Sequence, residues 1–298
     1  MADAEFSADV AGSRLRIWDD SVPLARIVTG LRFAEGPLWH PVDHHLTFSD
    51  IPGNRIYRLR EGGSASSLVA PSNHATGNAY DDEGRLVTCE HATSRVVRRD
   101  GDGATVLAAC WEGRELNSPN DVIVARDGAI FFTDPPFGRQ TRGFGGRRPI
   151  PQPVNGVYRI DPDGTLLRMA DDFDMPNGLC LSPDQRTIFI ADTARRHIRS
   201  FAIAADGSWH GGKVWAEVPS EGLAAPDGLK CDSAGNLLCS GKGGVHVFDP
   251  RGAHVECIPV PELVANFTHG GADLKTLFIA ASTSIYRARL TVPGLPAF

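Results

Sequence analysis

Residues with side-chain oxygens stand at one equivalent point in each of six similar segments of the chain. Aligned on their turns, the segments carry Glu, Thr, Asn, Asn, Asp and Asn there, at intervals of 39 to 57 residues. Any one of them alone would be typical of a turn, but two carboxylates that converge on one axis repel each other unless a cation compensates. Oxygen donors without His or Cys favour Ca²⁺, with Mg²⁺, Mn²⁺ and Zn²⁺ as alternatives. We call these residues the anchors: Glu35, Thr76, Asn120, Asn177, Asp227 and Asn266.

The segments that position the anchors share one plan. Each has an anchor, a short apolar strand, a turn rich in Asp and Gly, and a second apolar strand, as in MPNGLCLSPDQRTIFIADT from Met175. The interval between anchors is that of a four-stranded propeller blade, about 40–50 residues. The pattern therefore predicts an all-β, six-bladed β-propeller with the anchors around one mouth of its central channel.

Both ends of the sequence are needed to complete the sixth blade. Only 32 residues follow Asn266, too few for a whole blade, and the strand-like LRIW and LARIV precede the first anchor. We expect closure by one or more N-terminal strands, which removes exposed sheet edges. The chain is then a single domain over residues 1–298.

Composition excludes several classes of protein. The net charge of −6 argues against binding nucleic acid through bulk charge. The 32 glycines and 21 prolines are frequent, but they follow no collagen period and fit a chain of many turns. The sequence contains no apolar run of ~18 residues that would predict a membrane span, and no signal peptide is evident. We expect a cytoplasmic monomer or small homo-oligomer, with six reduced core cysteines and a solvated turn at His44-His45.

Charged residues end the second strands of four segments, close to the anchor mouth. They are Asp50, Glu90, Asp134 and Asp192, and His91 follows Glu90. Either they orient ligand side chains from outside, or they cap the next turn. His91 would donate to a substrate or move a proton, or have no catalytic role.

One long interval, of 57 residues, indicates an insertion on the anchor side. Its loop, Arg139–Val154, reads RQTRGFGGRRPIPQPV and carries four arginines. It is either a partial lid that attracts anionic or polyhydroxylated ligands, or a solvated surface loop.

Four segments resemble the regucalcin and gluconolactonase family, which includes senescence marker protein and luciferin-regenerating enzyme. They are RFAEGPLWHP, SPNDVIVARDGAIFFTDPPFG, PNGLCLSPDQRTIFIADT and PDGLKCDSAGNLL, and TDPPFG and CEH look most like the bacterial sugar-lactonase branch. The resemblance implies one divalent metal, commonly calcium, with Glu35, Asn177 and Asp227 as ligands. It also implies that Asn120 contacts metal or substrate, and that Asp227 is the general base.

The sequence departs from that family where the substrate should lie. Thr76 replaces a common Asn, Phe137 a common Tyr, and Phe267 and His269 stand where Cys and Phe are typical. These changes leave the implied metal ligands intact and the identity of the substrate open. The residues predicted to contact the substrate are Thr76, Asn120, Glu90, His91 and His269, with Asp134 and Asp192 supporting the ligands.

The function that these observations favour is metal-dependent hydrolysis of a sugar lactone, similar to gluconolactone, to the aldonic acid in carbohydrate metabolism. Because a carboxylate bound to a dication is a weak base, His91 and Glu90 remain reserve candidates beside Asp227. No G-x-S-x-G motif indicates a serine hydrolase. Two alternatives stay open: a metal-dependent phosphotriester or other ester hydrolase at the same site, and a non-enzymatic calcium-binding propeller.

Overall fold

Short strands joined by tight turns make up most of the chain. The structure, a computed structural model, describes residues 16–101 and 103–298. One short helix, α1, spans Phe137–Gln140, and no helix in the described ranges has the length and apolar character needed to cross a membrane. The strands are β1 (Ala25–Thr29), β2 (Ala34–His40), β3 (His45–Asp50), β4 (Arg55–Arg60), β5 (Ser66–Val69), β6 (Ala75–Tyr80), β7 (Leu86–Glu90), β8 (Arg95–Asp100), β9 (Gly103–Ala108), β10 (Cys110–Trp111), β11 (Arg114–Glu115), β12 (Val122–Val124), β13 (Ile130–Asp134), β14 (Asn155–Ile160), β15 (Leu166–Phe173), β16 (Pro176–Leu181), β17 (Thr187–Asp192), β18 (His197–Ile203), β19 (Trp209–Glu217), β20 (Leu229–Cys231), β21 (Leu237–Gly241), β22 (Gly244–Phe248), β23 (His254–Pro259), β24 (Val264–Gly270), β25 (Thr276–Ala281) and β26 (Ser284–Arg289).

Six four-stranded antiparallel sheets form the blades, and β10 pairs with β11 in a separate hairpin. In strand order, blades 1 to 6 are β2-β3-β4-β5, β6-β7-β8-β9, β12-β13-β14-β15, β16-β17-β18-β19, β20-β21-β22-β23 and β24-β25-β26-β1. The inner strands form a ring, because β2 contacts both β6 and β24, β12 contacts β6 and β16, and β20 contacts β16 and β24. The predicted six-bladed propeller is confirmed.

Blade 6 is closed by one strand from the other end of the chain, as the sequence predicted. Strand β1 pairs antiparallel with β26, and Thr29 lies opposite Ser284. A ring closed in this way leaves no blade edge free at the joint between the first and last blades.

The core lies between the faces of neighbouring blades. Between blades 2 and 3, for example, Phe132 stacks on Tyr158 at 5.2 Å between ring centres, and Val96 belongs to the same buried cluster. All six cysteines are unpaired in the described chain, and four are buried. Cys110 is exposed and Cys257 is half-buried, contrary to the expectation of six core residues, because Cys110 lies in the hairpin outside the blades.

Glycines beside the anchors allow neighbouring inner strands to approach closely. The N–H of Gly178 donates to the carbonyl of Asp227 at 2.9 Å. The inner strands are also irregular just past the anchors of blades 1, 2 and 4, where the pairing register shifts as in a β-bulge. These contacts fix the backbone of one anchor against that of the next. Equivalent bonds run from Gly77 N to Asn120 O at 2.8 Å and from Gly228 N to Ala265 O at 2.8 Å.

Replacing Gly178 by alanine is expected to lower the free energy of unfolding by about 3 kcal/mol through overpacking. A methyl group there would lie 2.0 Å from the carbonyl oxygen of Asp227, which is backbone and cannot swing away. Urea denaturation measures the change. Gly103→Ala is the matched control, because a methyl group there would lie 3.4 Å from the carbonyl oxygen of Asp100, an ordinary van der Waals contact. Equal stability of the two variants would contradict the close approach.

Candidate active site

Inner strands from three blades bring together the residues for which the sequence implied a metal. Glu35 is the second residue of β2, Asn177 is the second residue of β16, and Asp227 lies just before β20. The backbone N–H of Asp227 donates to Ser240 Oγ at 2.9 Å. Glu35 and Asn177 are buried, whereas Asp227 is only half-buried. Of these three residues, Asp227 is therefore the least buried.

Asp121 is a fourth member of the site that sequence reasoning missed. Its side chain is buried, and its Oδ2 lies 3.5 Å from Asn266 Nδ2. The neighbouring Asn120, predicted instead, joins the inner ring through its backbone, which receives the N–H of Gly77 and donates to Thr133. The two residues precede β12, where strand alternation does not yet apply. The one sequence feature that could have identified Asp121 is that it is an acidic residue next to an anchor.

The channel holds more negative than positive charge. Burial, and then the charge of Asp121, raises the pKa of Glu35 to about 7. Burial also raises the pKa of Asp121, and desolvation followed by the Glu35 charge raises that of Asp227 well above its usual range. Lys230 acts in the opposite direction on all three. Three carboxylates and one ammonium leave an excess of negative charge, which a bound divalent cation would neutralise.

The amide of Asn177 is oriented so that its oxygen is free. Its Nδ2 donates to Thr193 Oγ1 at 3.0 Å, and that hydroxyl donates in turn to the carbonyl of Pro226 at 2.6 Å. The Oδ1 of Asn177 is buried and has no hydrogen-bond donor within the described residues. A hard oxygen left bare beside carboxylates fits Ca²⁺ or a similar cation. The donor set of the channel therefore suits the metal that the sequence implied.

Carboxylates at the ends of the second strands hold the backbone that leads into the anchors. Asp192 accepts the N–H groups of Asp174 and Met175 at 2.9 and 3.1 Å. Asp50 and Asp192 also accept N–H groups in the turns that follow them, from Gly53 and Arg195 at 3.2 Å each, and burial raises the pKa of Asp134 to about 7. Thr193, next to Asp192, is the residue that contacts the Asn177 amide. The same arrangement joins Asp134 Oδ2 to Asn117 N at 2.8 Å and Asp50 Oδ1 to Phe33 N at 3.0 Å.

The Arg139–Val154 loop lies on the anchor side and is tied down there. Arg139 is buried and donates to the carbonyls of Leu116 and Pro149 at 2.8 and 2.7 Å. Phe144 packs on Phe33, two residues before Glu35, at 5.2 Å between ring centres. Part of the loop thus covers the approach to blade 1. Of its four arginines, Arg142 and Arg147 are exposed, whereas Arg139 and Arg148 bind protein groups.

Comparison with known proteins agrees with this geometry. The profile of the SMP-30/Gluconolactonase/LRE-like region matches residues 33–283. The chain belongs to this family. It is 29% identical over 304 aligned residues to a gluconolactonase of Zymomonas mobilis, covering 93% of this chain and 84% of that protein.

Two solved structures extend the comparison. A gluconolactonase of Xanthomonas campestris is 39% identical, with a TM-score of 0.85 and 90% and 89% of the two chains covered. A calcium-binding regucalcin of Agrobacterium tumefaciens shares the fold, at 18% identity and a TM-score of 0.74, with 95% and 96% covered. The family resemblance and the class of lactonase-type hydrolase predicted from the sequence are confirmed.

In this member of the SMP-30/gluconolactonase family, several predicted substrate contacts are buried against other protein groups. Glu90 is held by Asn73 and Arg99 at 3.1 and 2.7 Å. His91 is fully buried beside Phe144, and burial lowers its pKa to about 3.

Two other predicted side chains, those of Thr76 and His269, are also enclosed. The Oγ1 of Thr76 is buried without a partner in the described chain. His269 is three residues beyond Asn266 along β24, or about 10 Å in a strand. It packs against Gly294, and burial lowers its pKa to about 4. Its position is therefore towards the far end of the channel.

Of the tandem histidines, His44 is exposed in a turn as expected, whereas His45 is the first residue of β3 and is buried. In the part of the chain that the structure describes, His40, Asp43 and His45 form the one group of three or more His, Cys, Asp or Glu residues whose ligand atoms all lie within 4.8 Å of one another. The His40 and His45 rings stack at 4.9 Å, and His40 Nδ1 accepts the N–H of Asp43 at 3.0 Å. This group lies at the opposite end of β2 from Glu35 and is separate from the channel.

Proposed function

We propose that the chain hydrolyses a sugar lactone of the gluconolactone type to its aldonic acid, with one divalent cation held by Glu35, Asn177 and Asp227. Ca²⁺ is the favoured cation, and Asn120 contacts it or the substrate. The observation that carries the proposal is the buried, bare Oδ1 of Asn177 beside three incompletely compensated carboxylates. The lactonases among its relatives supply the class of reaction.

The cation, when bound, supplies a Lewis acid for the lactone carbonyl. Asp227 would accept the proton of the attacking water, since it is the least buried of the three residues that would hold the cation. Its second oxygen would serve as the base when the first holds the cation, because a ligated oxygen is a weak base. Water adds to the carbonyl carbon, the ring C–O bond breaks, and the proton passes to the released hydroxyl oxygen.

Thr76 supports substrate binding in this proposal. It occupies an anchor position, and its buried Oγ1 has no partner within the described ranges. The carbonyl of Thr76 accepts the hydroxyl of Ser49 at 2.8 Å, which fixes the backbone, and the buried side-chain hydroxyl must become exposed to contact a sugar hydroxyl. A polyhydroxylated substrate matches such a polar mouth better than an apolar ester does.

A substrate panel tests the proposal. Glucono-δ-lactone, a pentonolactone, an aryl ester and a phosphotriester are compared with Ca²⁺ present, and each hydrolysis is followed by proton release or by the leaving group. The proposal predicts the highest kcat/KM for an aldonolactone. A phosphotriester as the best substrate would support the other hydrolase, and Ca²⁺ binding without any turnover would support a calcium-binding propeller.

A further inference from the structure

Asn266 lies between two carboxylates of the channel. Its side chain is 2% exposed, and its Nδ2 is 3.2 Å from Glu35 Oε2 and 3.5 Å from Asp121 Oδ2. Glu35 and Asp121 repel each other, which is part of the reason that the pKa of Glu35 is raised. An amide NH₂ placed between them offers a hydrogen to each carboxylate.

The other end of the same amide faces positive groups. Asn266 Oδ1 accepts the N–H of Phe267 at 2.9 Å and lies 3.5 Å from the Lys230 ammonium nitrogen. Turning the amide over would set its oxygen against two carboxylates and its NH₂ against two donors. The charges on both sides therefore favour one orientation of the Asn266 amide, in which its oxygen points away from Glu35.

We propose that Asn266 is a positioning residue that holds Glu35 and Asp121 through its NH₂ group, and is not itself a ligand of the cation. The inference rests on the proposed function, because it assumes a dication at Glu35. It changes the role of one anchor: Glu35, Asn177 and Asp227 offer oxygen to the cation, whereas Asn266 offers hydrogen to Glu35 and Asp121. The cation then has fewer protein ligands and keeps positions for water and substrate.

Two substitutions distinguish a positioning residue from a ligand. Asn266→Asp keeps an oxygen but removes the donor and adds a charge against Glu35 and Asp121. Asn266→Leu removes both donor and oxygen without adding charge. The positioning role predicts that Leu weakens Ca²⁺ binding by about tenfold and that Asp weakens it further, towards a hundredfold, as for other groups that orient metal ligands. A direct ligand predicts the reverse order, with Asp binding Ca²⁺ more tightly than Leu.

Isothermal titration with Ca²⁺ alone measures these affinities on the full chain. Asn236→Asp is the matched control, because Asn236 is also buried and donates to a carboxylate, Asp232, at 2.7 Å, but lies in a blade turn. It is expected to destabilise the fold by like-charge repulsion and leave Ca²⁺ affinity within twofold.

The outcomes separate the two proposals. Wild-type binding that is kept or tightened in Asn266→Asp overturns the positioning role and leaves the proposed function standing. Unchanged affinity in Asn266→Leu overturns the positioning role even where the Asp variant does not fold. A wild type that binds no dication overturns the cation site, and the positioning role with it.

Discussion

Replacing Asp227 by asparagine is expected to lower kcat/KM for an aldonolactone by about a thousandfold. The substitution keeps one oxygen and the size of the side chain, but it removes the group that accepts the proton of water, a contribution of about 10²–10⁴ in rate. It also removes one of three carboxylates that attract the cation. Steady-state kinetics at saturating Ca²⁺ measure the loss and separate weaker cation binding from slower chemistry.

Asp232→Asn is the control for this prediction. Asp232 is buried five residues from Asp227, but its carboxylate accepts the N–H groups of Ala234 and Asn236, both at 2.9 Å, inside a turn. Its loss is expected to lower stability and leave kcat/KM nearly unchanged. Full activity of Asp227→Asn, with Asp232→Asn less active, would show that the base lies elsewhere.

Removing the cation is expected to abolish lactone hydrolysis and lower the melting temperature together. Without a dication the channel buries the charges of Glu35 and Asp121 against each other, and Lys230 offsets only part of them. At a cation concentration one hundred times Kd, binding stabilises the folded state by about 2.7 kcal/mol. Thermal unfolding with EDTA, and with Ca²⁺ restored in excess, measures that shift beside the activity.

Glu35→Gln supplies the comparison for the chelation experiment. This variant loses a ligand, so chelator is expected to leave its melting temperature unchanged. It also removes the repulsion with Asp121, and so the metal-free variant is expected to be at least as stable as metal-free wild type above pH 7, where the Glu35 carboxyl is ionised. An EDTA-resistant wild-type activity would contradict a metal-dependent reaction.

The fold could be predicted from the sequence because each blade repeats the same local chemistry. Turn residues at matching distances from the anchors defined the hairpins, as at Gly128 and Gly235, and these turns are present. The closing strand followed from counting residues after Asn266. Repetition makes such a prediction reliable, because a strand misassigned in one blade can be corrected by alignment with the other blades.

The details of the site could be predicted only in part. Aligning anchors selected Asn120 over Asp121, because hairpin spacing cannot say which of two adjacent residues turns inward before a strand begins. Arg139 was expected in a solvated or lid-like loop, and only tertiary contacts show that it is buried among carbonyls. Thr193 has no sequence pattern at all: its role depends on Asn177, sixteen positions away, and on a carbonyl of the next blade.

The hydrogen bond from Asn266 to Glu35 spans 231 positions of sequence and joins the last blade to the first. During synthesis, the first blade, which carries Glu35, is made long before Asn266, which hydrogen-bonds to the Glu35 carboxylate. Contacts of such sequence separation form late and slowly, since the intervening chain must first be ordered. The active site is therefore expected to form only when the last blade packs against the first. A chain that stops folding before the ring closes would have folded blades but an incomplete active site.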